Sequence, residues 1–525
     1  MGLYLNPGNE AFRQAVNDDI YIDKTKMIAQ MNQRLNRSRV KYVCVSRPRR
    51  FGKSMAADML AAYYGKGCDS GDLFAGKKIE KEESFQIHLN QHNVIRLDIQ
   101  RFLFDESHLD IFIDKIQKAV IRELEAEYGE NFVVDQYGLP GVLGQIYAHT
   151  KTGFIFIIDE WDCVFRFAKE RQEIQKTYLD FLRGLFKGAD YVELAYMTGI
   201  LPIKKYGEHS AINIFKEFSM LNPGPLAEYF GFTEEEVEEL CGIYGIDYGK
   251  TKEWYDGYLV GDFHIYNPQA VTELVDSKAF RSYWTGTETY EALKIYIDMN
   301  FDGLKEAVIG MLGNVWCDID PSTCQNDMTT FHSRDDVLTL LLHLGYLSYD
   351  EKSSKVFIPN QEIAREFMRS VKAGGWDGLI QALERSDELL QRTWELDGEA
   401  VAAGVDEIHS ETASMLKYNN ENSLTCTVLM AYYSAKTYYM NPLLELPSGK
   451  GFADVVYLPK REIDRPALVV ELKWNQSAEG AIAQIKNRQY TNWLEGYTGK
   501  ILLVGISYDE KKGHTCVVEE YKKDK

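Results

Sequence analysis

The first 200 residues alternate between short apolar runs and longer amphipathic stretches. The stretches that predict strands are residues 40–46, 94–98, 154–158 and 191–199. The continuous apolar run 154–158 is typical of a strand buried on both faces. The amphipathic stretches between them predict helices over residues 53–64, 108–128, 141–148 and 172–186. Strands that alternate with helices form parallel sheets, which bind ligands at the carboxyl ends of their strands. We therefore expect an N-terminal parallel α/β domain.

From residue 231 onward the pattern changes. Thr233 and Glu236 have the spacing of a capping box, which begins a helix. Helical periodicity then dominates, with a small helical or winged-helix stretch near 333–358. Farther on, a helix over 424–433 precedes strands over 452–458 and 467–473. The predicted segments are an α/β domain over 1–230, a helical middle region over 231–370, a helical linker over 371–415 and a second α/β domain over 416–525.

The sequence Gly-Lys-Ser at 52–54 follows the first strand and opens the first long helix. In a phosphate-binding P-loop, backbone N–H groups at the helix start face the β- and γ-phosphates. Lys53 would supply a mobile positive charge, and Ser54 would offer its hydroxyl to Mg²⁺. The usual spacing places a glycine at position 47, where this chain has Arg47. Because Gly-Lys-Ser also occurs by chance, this assignment needs a second motif.

An acidic motif follows about a hundred residues later, where the apolar run 154–158 ends in Asp159 and Glu160. Asp159 is suited to hold Mg²⁺, and Glu160 to polarise the attacking water. Carboxylates at the end of a buried strand can also serve only as turn formers. Thr198 lies at the end of the next strand, where P-loop ATPases place a polar residue that senses the γ-phosphate. The alternative is that Thr198 ends the strand and has no functional role. The two motifs together predict nucleotide binding.

The amino-acid composition limits which binding partners and which cellular compartment we expect. The chain has 525 residues, with 59 basic against 79 acidic side chains and a net charge of −20. This balance argues against a protein coated in basic surface, although it leaves room for a local basic groove. The eight cysteines form no C-x-x-C pair, so we expect neither a zinc site nor a disulfide framework. Without an apolar signal core or an 18-residue apolar run, we expect a cytoplasmic protein with no membrane span.

The C-terminal strands carry a second group of charged residues. Glu471 and Lys473 share one face of a strand, because side chains at i and i+2 point the same way. Asp454 lies on the partner strand of a predicted hairpin. Two carboxylates and a lysine on one sheet face are costly to desolvate without a function, and carboxylate oxygens suit Mg²⁺. The alternative is a solvated edge hairpin with a chance Glu-x-Lys pair.

These motifs resemble, over nearly the whole chain, a bacterial family that fuses an AAA-ATPase-like domain to a PD-(D/E)XK nuclease-superfamily domain. The stretches that carry the resemblance are 21–25, 47–54, 254–258, 266–268, 420–424, 449–454 and 471–474. Arg47 departs from the general P-loop pattern but matches this family's own Arg-Pro-Arg-Arg version. The resemblance implies an α/β multidomain protein with a P-loop NTPase sheet, a helical, winged-helix-like middle region and a nuclease-type α/β fold.

The resemblance also implies the nuclease site. Asp454 and Glu471 would be metal ligands together with the carbonyl of Leu472, and Lys473 would be the catalytic lysine. Glu421 would be the helix-borne acid of the same site, unless it only caps its helix. The downstream helix motif would contribute Gln484, unless that residue only caps the neighbouring sheet, and usually ends near a tyrosine such as Tyr490.

The expected cofactors are ATP and Mg²⁺, with Mn²⁺ an alternative at the nuclease site. The residues expected to bind ATP are Arg49, Arg50, Phe51, Gly52, Lys53, Ser54, Asp159 and Thr198. Arg49 or Arg50 would contact the γ-phosphate or a neighbouring subunit of a homo-oligomer, since guanidinium groups suit phosphate oxygens; nucleic acid is an equally fair partner for this loop.

Three functions follow from these assignments. The first is an ATP-controlled, Mg²⁺-dependent nuclease, with DNA favoured as substrate and a role in defence against foreign DNA. The second is an ATP-dependent switch or binding module whose nuclease-like domain is non-catalytic, which the net charge of −20 favours slightly. The third, a ring-forming remodelling motor, ranks last because the sequence has no obvious second arginine-finger motif or pore-loop signature.

Overall fold

The protein is described from a computed structural model. The described residues are 2–103, 109–129, 138–203, 212–284, 289–299, 301, 303–324, 331–373, 377–412, 421–448, 451–461, 463–487 and 499–521. They divide into two compact units. Unit 1 contains Met1–Tyr283 and Ile319–Ser354, and unit 2 contains Trp284–Asp318 and Lys355–Lys525.

Elements are numbered in chain order across both units. The strands of unit 1 are β1 (Tyr42–Ser46), β2 (Asn93–Asp98), β3 (Phe154–Asp159), β4 (Val192–Gly199), β5 (Lys216–Phe218), β6 (Phe232–Thr233), β7 (Tyr258–Val260), β8 (Phe263–Tyr266) and β10 (Ser348–Asp350). Its helices are α1 (Glu10–Val16), α2 (Met27–Asn32), α3 (Lys53–Tyr64), α4 (Gly71–Phe74), α5 (Phe85–His88), α6 (Phe112–Tyr128), α7 (Gly138–Thr150), α8 (Cys163–Phe167), α9 (Gln172–Phe186), α10 (Glu234–Tyr244), α11 (Tyr248–Tyr255), α12 (Pro268–Ser277) and α15 (Arg334–Leu344).

Unit 2 contains the remaining elements. Its strands are β9 (Cys317–Asp318), β11 (Lys355–Phe357), β12 (Leu443–Ser448), β13 (Gly451–Tyr457), β14 (Ala467–Trp474), β15 (Ile501–Asp509) and β16 (Gly513–Glu520). Its helices are α13 (Thr289–Asp298), α14 (Leu304–Leu312), α16 (Gln361–Ala373), α17 (Asp377–Trp394), α18 (Gly398–Thr412), α19 (Glu421–Ala431), α20 (Ala435–Tyr438) and α21 (Ala478–Asn487). Among the described residues, no helix combines the length and the apolar character needed to cross a bilayer.

The main sheet of unit 1 is parallel and has the order β2-β3-β4-β1-β5. Strands β1 and β3 are buried along their whole length, as the apolar run 154–158 predicted for β3, and β4 is buried except at Glu193. The register pairs Ser46 with Gly199 across β1 and β4, and Asp98 with Asp159 across β2 and β3. The polar residues that follow these strands therefore meet at one edge of the sheet, which confirms the predicted parallel α/β domain.

Helix α3 begins directly after Gly52, whose φ of 82° lies in the left-handed region that glycine adopts without strain. The helix buries a face that includes Ala57 and Leu60 and packs against β3. It ends at Tyr64, before Gly65. The strand-to-helix turn therefore directs the backbone N–H groups at the start of α3 toward the carboxyl edge of the sheet.

The predicted capping box at Thr233 is confirmed. The Thr233 hydroxyl accepts from the backbone N–H of Glu236, and the Glu236 carboxylate accepts from the backbone N–H of Thr233 at 2.8 Å. Helices α10, α11 and α12 follow, alongside a small sheet of order β6-β8-β7. Together with helices α13 to α16, these elements make the middle of the chain predominantly helical, as expected from its periodicity.

Gly231 precedes this region and adopts a φ of 90°. A Cβ atom there would lie 2.3 Å from Ile265 Cγ2 and 2.9 Å from the Tyr266 carbonyl oxygen. We expect Gly231→Ala to lower the free energy of unfolding by about 2–4 kcal/mol, because both the backbone conformation and the packing oppose a side chain. Urea unfolding followed by tryptophan fluorescence measures this loss.

The matched control is Gly242→Ala, in helix α10, where an added Cβ meets no atom within 4 Å. We expect this variant to be as stable as the unmodified protein or slightly more stable, because alanine favours a helix over glycine. Equal unfolding midpoints for the two variants would contradict the steric argument at Gly231.

The main sheet of unit 2 is mixed and has the order β12-β13-β14-β15-β16. Strands β13 and β14 are antiparallel, as the predicted hairpin requires, whereas β14 and β15 are parallel. Helix α21 packs on this sheet and buries Ile482 and Ile485. Strands β13 and β14 both lie in the interior of this sheet. The alternative interpretation, in which the β13–β14 hairpin is a solvated edge of the sheet, is therefore wrong.

Candidate functional sites

The turn between β1 and α3 has the backbone of a phosphate-binding loop. Arg50 and Gly52 take positive φ values of 69° and 82°, and Lys53 is buried with its Nζ 2.9 Å from the Pro48 carbonyl oxygen. Burial lowers the pKa of Lys53, while the carboxylates of Glu160, Asp162 and Asp159 oppose that shift. The ammonium group therefore bends back over its own loop, where it can reach a bound phosphate.

Arg47 explains how this loop dispenses with the usual first glycine. Its φ is not positive, so the position does not require glycine. The side chain is fully buried, and Nη1 donates to the carbonyl oxygens of Ser46 and Phe218 at 2.9 Å each. The guanidinium also lies 5.6 Å from the ring centroid of Phe230, and burial lowers its pKa to about 10. Arg47 thus braces the ends of β1 and β5.

Asp159 and Glu160 lie at the carboxyl end of β3, on the same edge of the sheet as the loop. Burial raises the pKa of Asp159 to about 6, partly offset by a hydrogen bond from Ser54. Glu160 adopts a φ of 52°, and its backbone N–H donates to Asp159 Oδ1 at 3.0 Å. Ser54 and Asp159 therefore bring two oxygen donors together, which is the ligand chemistry that Mg²⁺ prefers.

A buried ion-pair cluster lies next to this acidic pair. Arg166, on α8, donates from Nη2 to the Glu160 carboxylate, and its Nε lies 3.7 Å from Asp162 Oδ2. Asp162 is fully buried and accepts from the backbone N–H groups of Ile200 and Leu201 at 3.1 and 2.8 Å. Burial opposes the charge on Arg166, but Asp162 and Glu160 raise its pKa overall. Arg166 therefore positions Glu160, and Asp162 joins the turn after β3 to the residues that follow β4.

We expect Arg166→Ala to lower the free energy of unfolding by about 3 kcal/mol, because it leaves the buried Asp162 and Glu160 carboxylates without their counter-charge. Thermal unfolding of the purified protein measures the loss. Arg183→Ala is the control, since Arg183 pairs with Asp180 on an exposed helix face, and such pairs contribute little. A loss of stability in Arg183→Ala equal to that in Arg166→Ala would contradict this assignment.

Thr198 and Asp98 also lie at the carboxyl edge of the main sheet of unit 1. Thr198 is fully buried near the end of β4, and its carbonyl oxygen accepts from the backbone N–H of Trp161 at 3.1 Å. Strand β4 stands between β1 and β3, so Thr198 is positioned between the loop and the acidic pair. Asp98 ends β2 in register with Asp159. Arg49, in contrast, is exposed on the loop.

The charged group in unit 2 converges on one carboxylate. Glu471, on β14, is almost completely buried, at 1% exposure. Its Oε1 accepts from Lys473 Nζ at 2.8 Å and from Nε2 of Gln484 on α21. Asp454, on β13, accepts through Oδ2 from the backbone N–H of Leu472 at 2.6 Å. Two strands and one helix therefore bring Asp454, Glu471, Lys473 and Gln484 together.

These residues have the chemistry of a divalent-metal site. The carboxylates of Asp454 and Glu471 and the carbonyl of Leu472 are hard oxygen donors, which suit Mg²⁺ or Mn²⁺. Glu421 is the first residue of α19, but its side chain is not among those described. The predicted Tyr490 also lies outside the described residues.

Two family models match the two ends of the chain. Residues 8–207 match the model described as a predicted AAA-ATPase, and residues 419–518 match the model of the PD-(D/E)XK nuclease superfamily. The chain joins an AAA-ATPase-like domain to a PD-(D/E)XK nuclease-superfamily domain. Both matches agree with the resemblance found in the sequence.

One curated relative and several solved structures are also similar to the chain. An uncharacterized protein in the vnfD 5′ region of Azotobacter chroococcum mcd 1 is 26% identical over 291 residues, which are 52% of each protein. The match thus spans about half the length of that relative.

The Walker-type ATPase PABY2304 of Pyrococcus abyssi has a TM-score of 0.33 and 11% identity, over 66% of this chain and 94% of that one. The Aeropyrum pernix ORC2 protein, in ADPNP–ADP complexes, has a TM-score of 0.29 and 9% identity, over 69% and 98%.

The AAA-ATPase-like domain contains functional candidates that sequence reasoning missed. Arg166, Asp162 and Asp98 all border the predicted site, but no motif named them. The spacing of Asp162 and Arg166, four residues apart, was an available signal, because it places opposite charges on one side of a helical turn. In the nuclease-superfamily domain, by contrast, the group of Asp454, Glu471, Lys473 and Gln484 had been predicted. Their catalytic and metal-binding roles stay predictions.

Proposed function

We propose that ATP binding and hydrolysis in the AAA-ATPase-like domain control Mg²⁺-dependent cleavage of nucleic acid phosphodiesters by the C-terminal domain. The observation that carries this proposal is the convergence of Lys473 and Gln484 on the buried carboxylate of Glu471, beside Asp454. A buried group of this kind has a large desolvation cost. That cost favours a functional role for the group over a purely structural one.

In the N-terminal domain, each residue of the proposed ATP site has a distinct task. Lys53 pairs with the phosphates, and the backbone N–H groups from Gly52 onward bind their oxygens. Ser54 and Asp159 would hold Mg²⁺, which would supply positive charge to offset that of the phosphates. Glu160 orients the attacking water, and Arg166 holds the Glu160 carboxylate in position. Thr198 senses the γ-phosphate from β4.

In the C-terminal domain, Asp454, Glu471 and the carbonyl of Leu472 would hold the divalent ion. Bound there, the ion would supply positive charge to stabilise the scissile phosphate. Lys473 positions the attacking water and steadies the charge that develops on the phosphate, because its ammonium group is already fixed 2.8 Å from Glu471 Oε1. Gln484 keeps the Glu471 carboxylate in place, and Glu421 contributes a further acid from α19.

We further propose DNA as the substrate, the cytoplasm as the compartment and defence against foreign DNA as the role. The nuclease-superfamily match supports a nucleic acid partner. Because the net charge is −20, binding must rely on local basic groups. Arg49 is exposed on the phosphate-binding loop, where it can contact nucleic acid or the nucleotide of a neighbouring copy in a homo-oligomer.

The deciding experiment is cleavage of plasmid DNA, single-stranded DNA and RNA by the purified full-length protein. The reactions contain Mg²⁺ or Mn²⁺ and either ATP, a non-hydrolysable analogue or no nucleotide. We expect DNA cleavage that requires the divalent ion and whose rate changes with ATP. If no nucleic acid is cut under any condition while ATP is hydrolysed, the nuclease proposal is wrong. The chain is then an ATP-dependent switch with a non-catalytic nuclease-like domain.

A further inference from the structure

A cluster of two histidines and a carboxylate lies in unit 2, among residues to which the proposed function assigns no role. Asp406 and His409 are on α18, and His514 is on β16. One ligand atom from each side chain lies within 4.8 Å of the others. Because residues at i and i+3 share a helix face, Asp406 and His409 can both face β16, against which α18 packs.

The backbone of the β15–β16 turn is shaped around this cluster. Gly513 adopts a φ of 74°, and a Cβ atom there would lie 3.0 Å from Asp406 Oδ1. The absence of a side chain at Gly513 therefore lets the carboxylate approach the turn closely. Asp406 Oδ1 also accepts from the backbone N–H of His514 at 3.0 Å and lies 2.6 Å from His514 Nδ1. The helix and the turn are thus held in register by Asp406.

The surroundings favour ligand chemistry over a freely solvated charge pair. The His514 side chain is fully buried, whereas Asp406 is 45% exposed. The rings of His409 and His514 lie 5.2 Å apart, and Tyr508 packs against both, at 5.0 and 4.8 Å between centroids. Burial lowers the pKa of both histidines, although Asp406 opposes this shift at His514.

We propose that Asp406, His409 and His514 bind one divalent transition-metal ion of the Zn²⁺ class. Two imidazole nitrogens and one carboxylate oxygen are a ligand set typical of such ions, and water can supply the remaining ligand at the exposed side. Metal–ligand distances of about 2.0–2.1 Å require ligand atoms about 3.3 Å apart. The ligand atoms lie within 4.8 Å of one another, so binding requires rotations of the Asp406 and His409 side chains, which are both partly exposed. In the metal-free protein His514 Nδ1 donates to Asp406 Oδ1, so binding through Nδ1 releases this proton to solvent and replaces the hydrogen bond with two metal–ligand bonds.

The position of the cluster indicates what the ion would stabilise. Tyr508 pairs with Trp474 across β15 and β14, and their rings pack at 4.9 Å. Trp474 directly follows Lys473 at the end of β14. A metal that joins α18 to β16 would therefore fix the helix against the hairpin that borders the proposed nuclease site. Because the ion would tie α18 to β16, its occupancy should change stability as well as metal content.

The test is a Zn²⁺ titration of the metal-depleted full-length protein in excess Mg²⁺, which occupies the oxygen-rich sites. A fluorescent zinc chelator competes for the ion, and plasma mass spectrometry measures the bound metal. We expect one Zn²⁺ per chain and a rise in thermal stability on binding. His409→Ala and Asp406→Asn should each weaken binding by at least about tenfold. His149→Ala, which changes an exposed histidine of unit 1, should bind as the unmodified protein does.

Two results would overturn the proposal: no stoichiometric Zn²⁺ in the unmodified protein, or equal affinity in His409→Ala. Folding of each variant is checked by circular dichroism. Should a variant fail to fold, Co²⁺ is titrated into the unmodified protein. Strong visible absorption bands from a Co²⁺ ion with nitrogen ligands support the site, and their absence refutes it. DNA cleavage is not a readout, so the outcome is independent of the proposed nuclease activity.

Discussion

Lys53→Ala is expected to abolish ATP hydrolysis, with a fall of at least about 100-fold in rate and a large loss of nucleotide affinity. The reason is that Lys53 is a buried cation at the junction of the loop and α3. Its ammonium group lies among Asp159, Glu160 and Asp162, which act on it electrostatically. Removing a charged donor that would stabilise the reacting phosphates costs about 10²–10³ in rate. Phosphate release and binding of a fluorescent ATP analogue measure the two effects.

Lys41→Ala is the matched control for this variant. Lys41 directly precedes β1, at the opposite end of the strand from the loop. Like Lys53 it donates from Nζ to a backbone carbonyl, that of Val192 at 2.6 Å. We expect ATP hydrolysis by Lys41→Ala to equal that of the unmodified protein. Hydrolysis by Lys53→Ala within a fewfold of the unmodified rate would show that the loop is not the nucleotide site.

Sequence patterns predicted the local elements of the N-terminal domain well. The helices expected over 53–64 and 172–186 have those bounds, since an amphipathic period and a glycine at the start of α3 are local signals. The order of the strands was not predictable in the same way. Strand β4 lies between β1 and β3, and only packing of the whole sheet decides that arrangement. The predicted segment boundaries at 230, 370 and 415 stay predictions.

The residues that sequence reasoning missed share a physical cause. Arg166 acts through contacts with Glu160 and Asp162 that depend on the turn after β3. The cluster of Asp406, His409 and His514 joins positions 108 residues apart. The spacing of residues in a sequence reveals a metal-binding site only when its ligand residues are close together along the chain. Such sites emerge only from the tertiary fold.

Lys473→Ala is expected to lower the rate of DNA cleavage by about 10³-fold and to leave ATP hydrolysis unchanged. Lys473 is the ammonium group nearest to the buried Glu471 carboxylate among the described residues. Loss of such a fixed charge at a reacting phosphate removes stabilisation that develops in the transition state. Gln484 still donates to Glu471 in the variant, so the domain should keep its fold. Plasmid nicking in parallel with phosphate release measures both activities.

Lys486→Ala is the control in the same domain. Lys486, on α21, is half-exposed and pairs with Glu519 rather than with Glu471, so its loss should leave cleavage unchanged. Equal loss in both variants would indicate a general effect of positive charge on DNA binding, not catalysis at Glu471. Loss confined to Lys473→Ala, with ATP hydrolysis retained, would separate the two activities. The rate of DNA cleavage by Lys53→Ala then distinguishes an ATP-controlled nuclease from two independent enzymes. If ATP controls the nuclease, Lys53→Ala must also change the rate of cleavage.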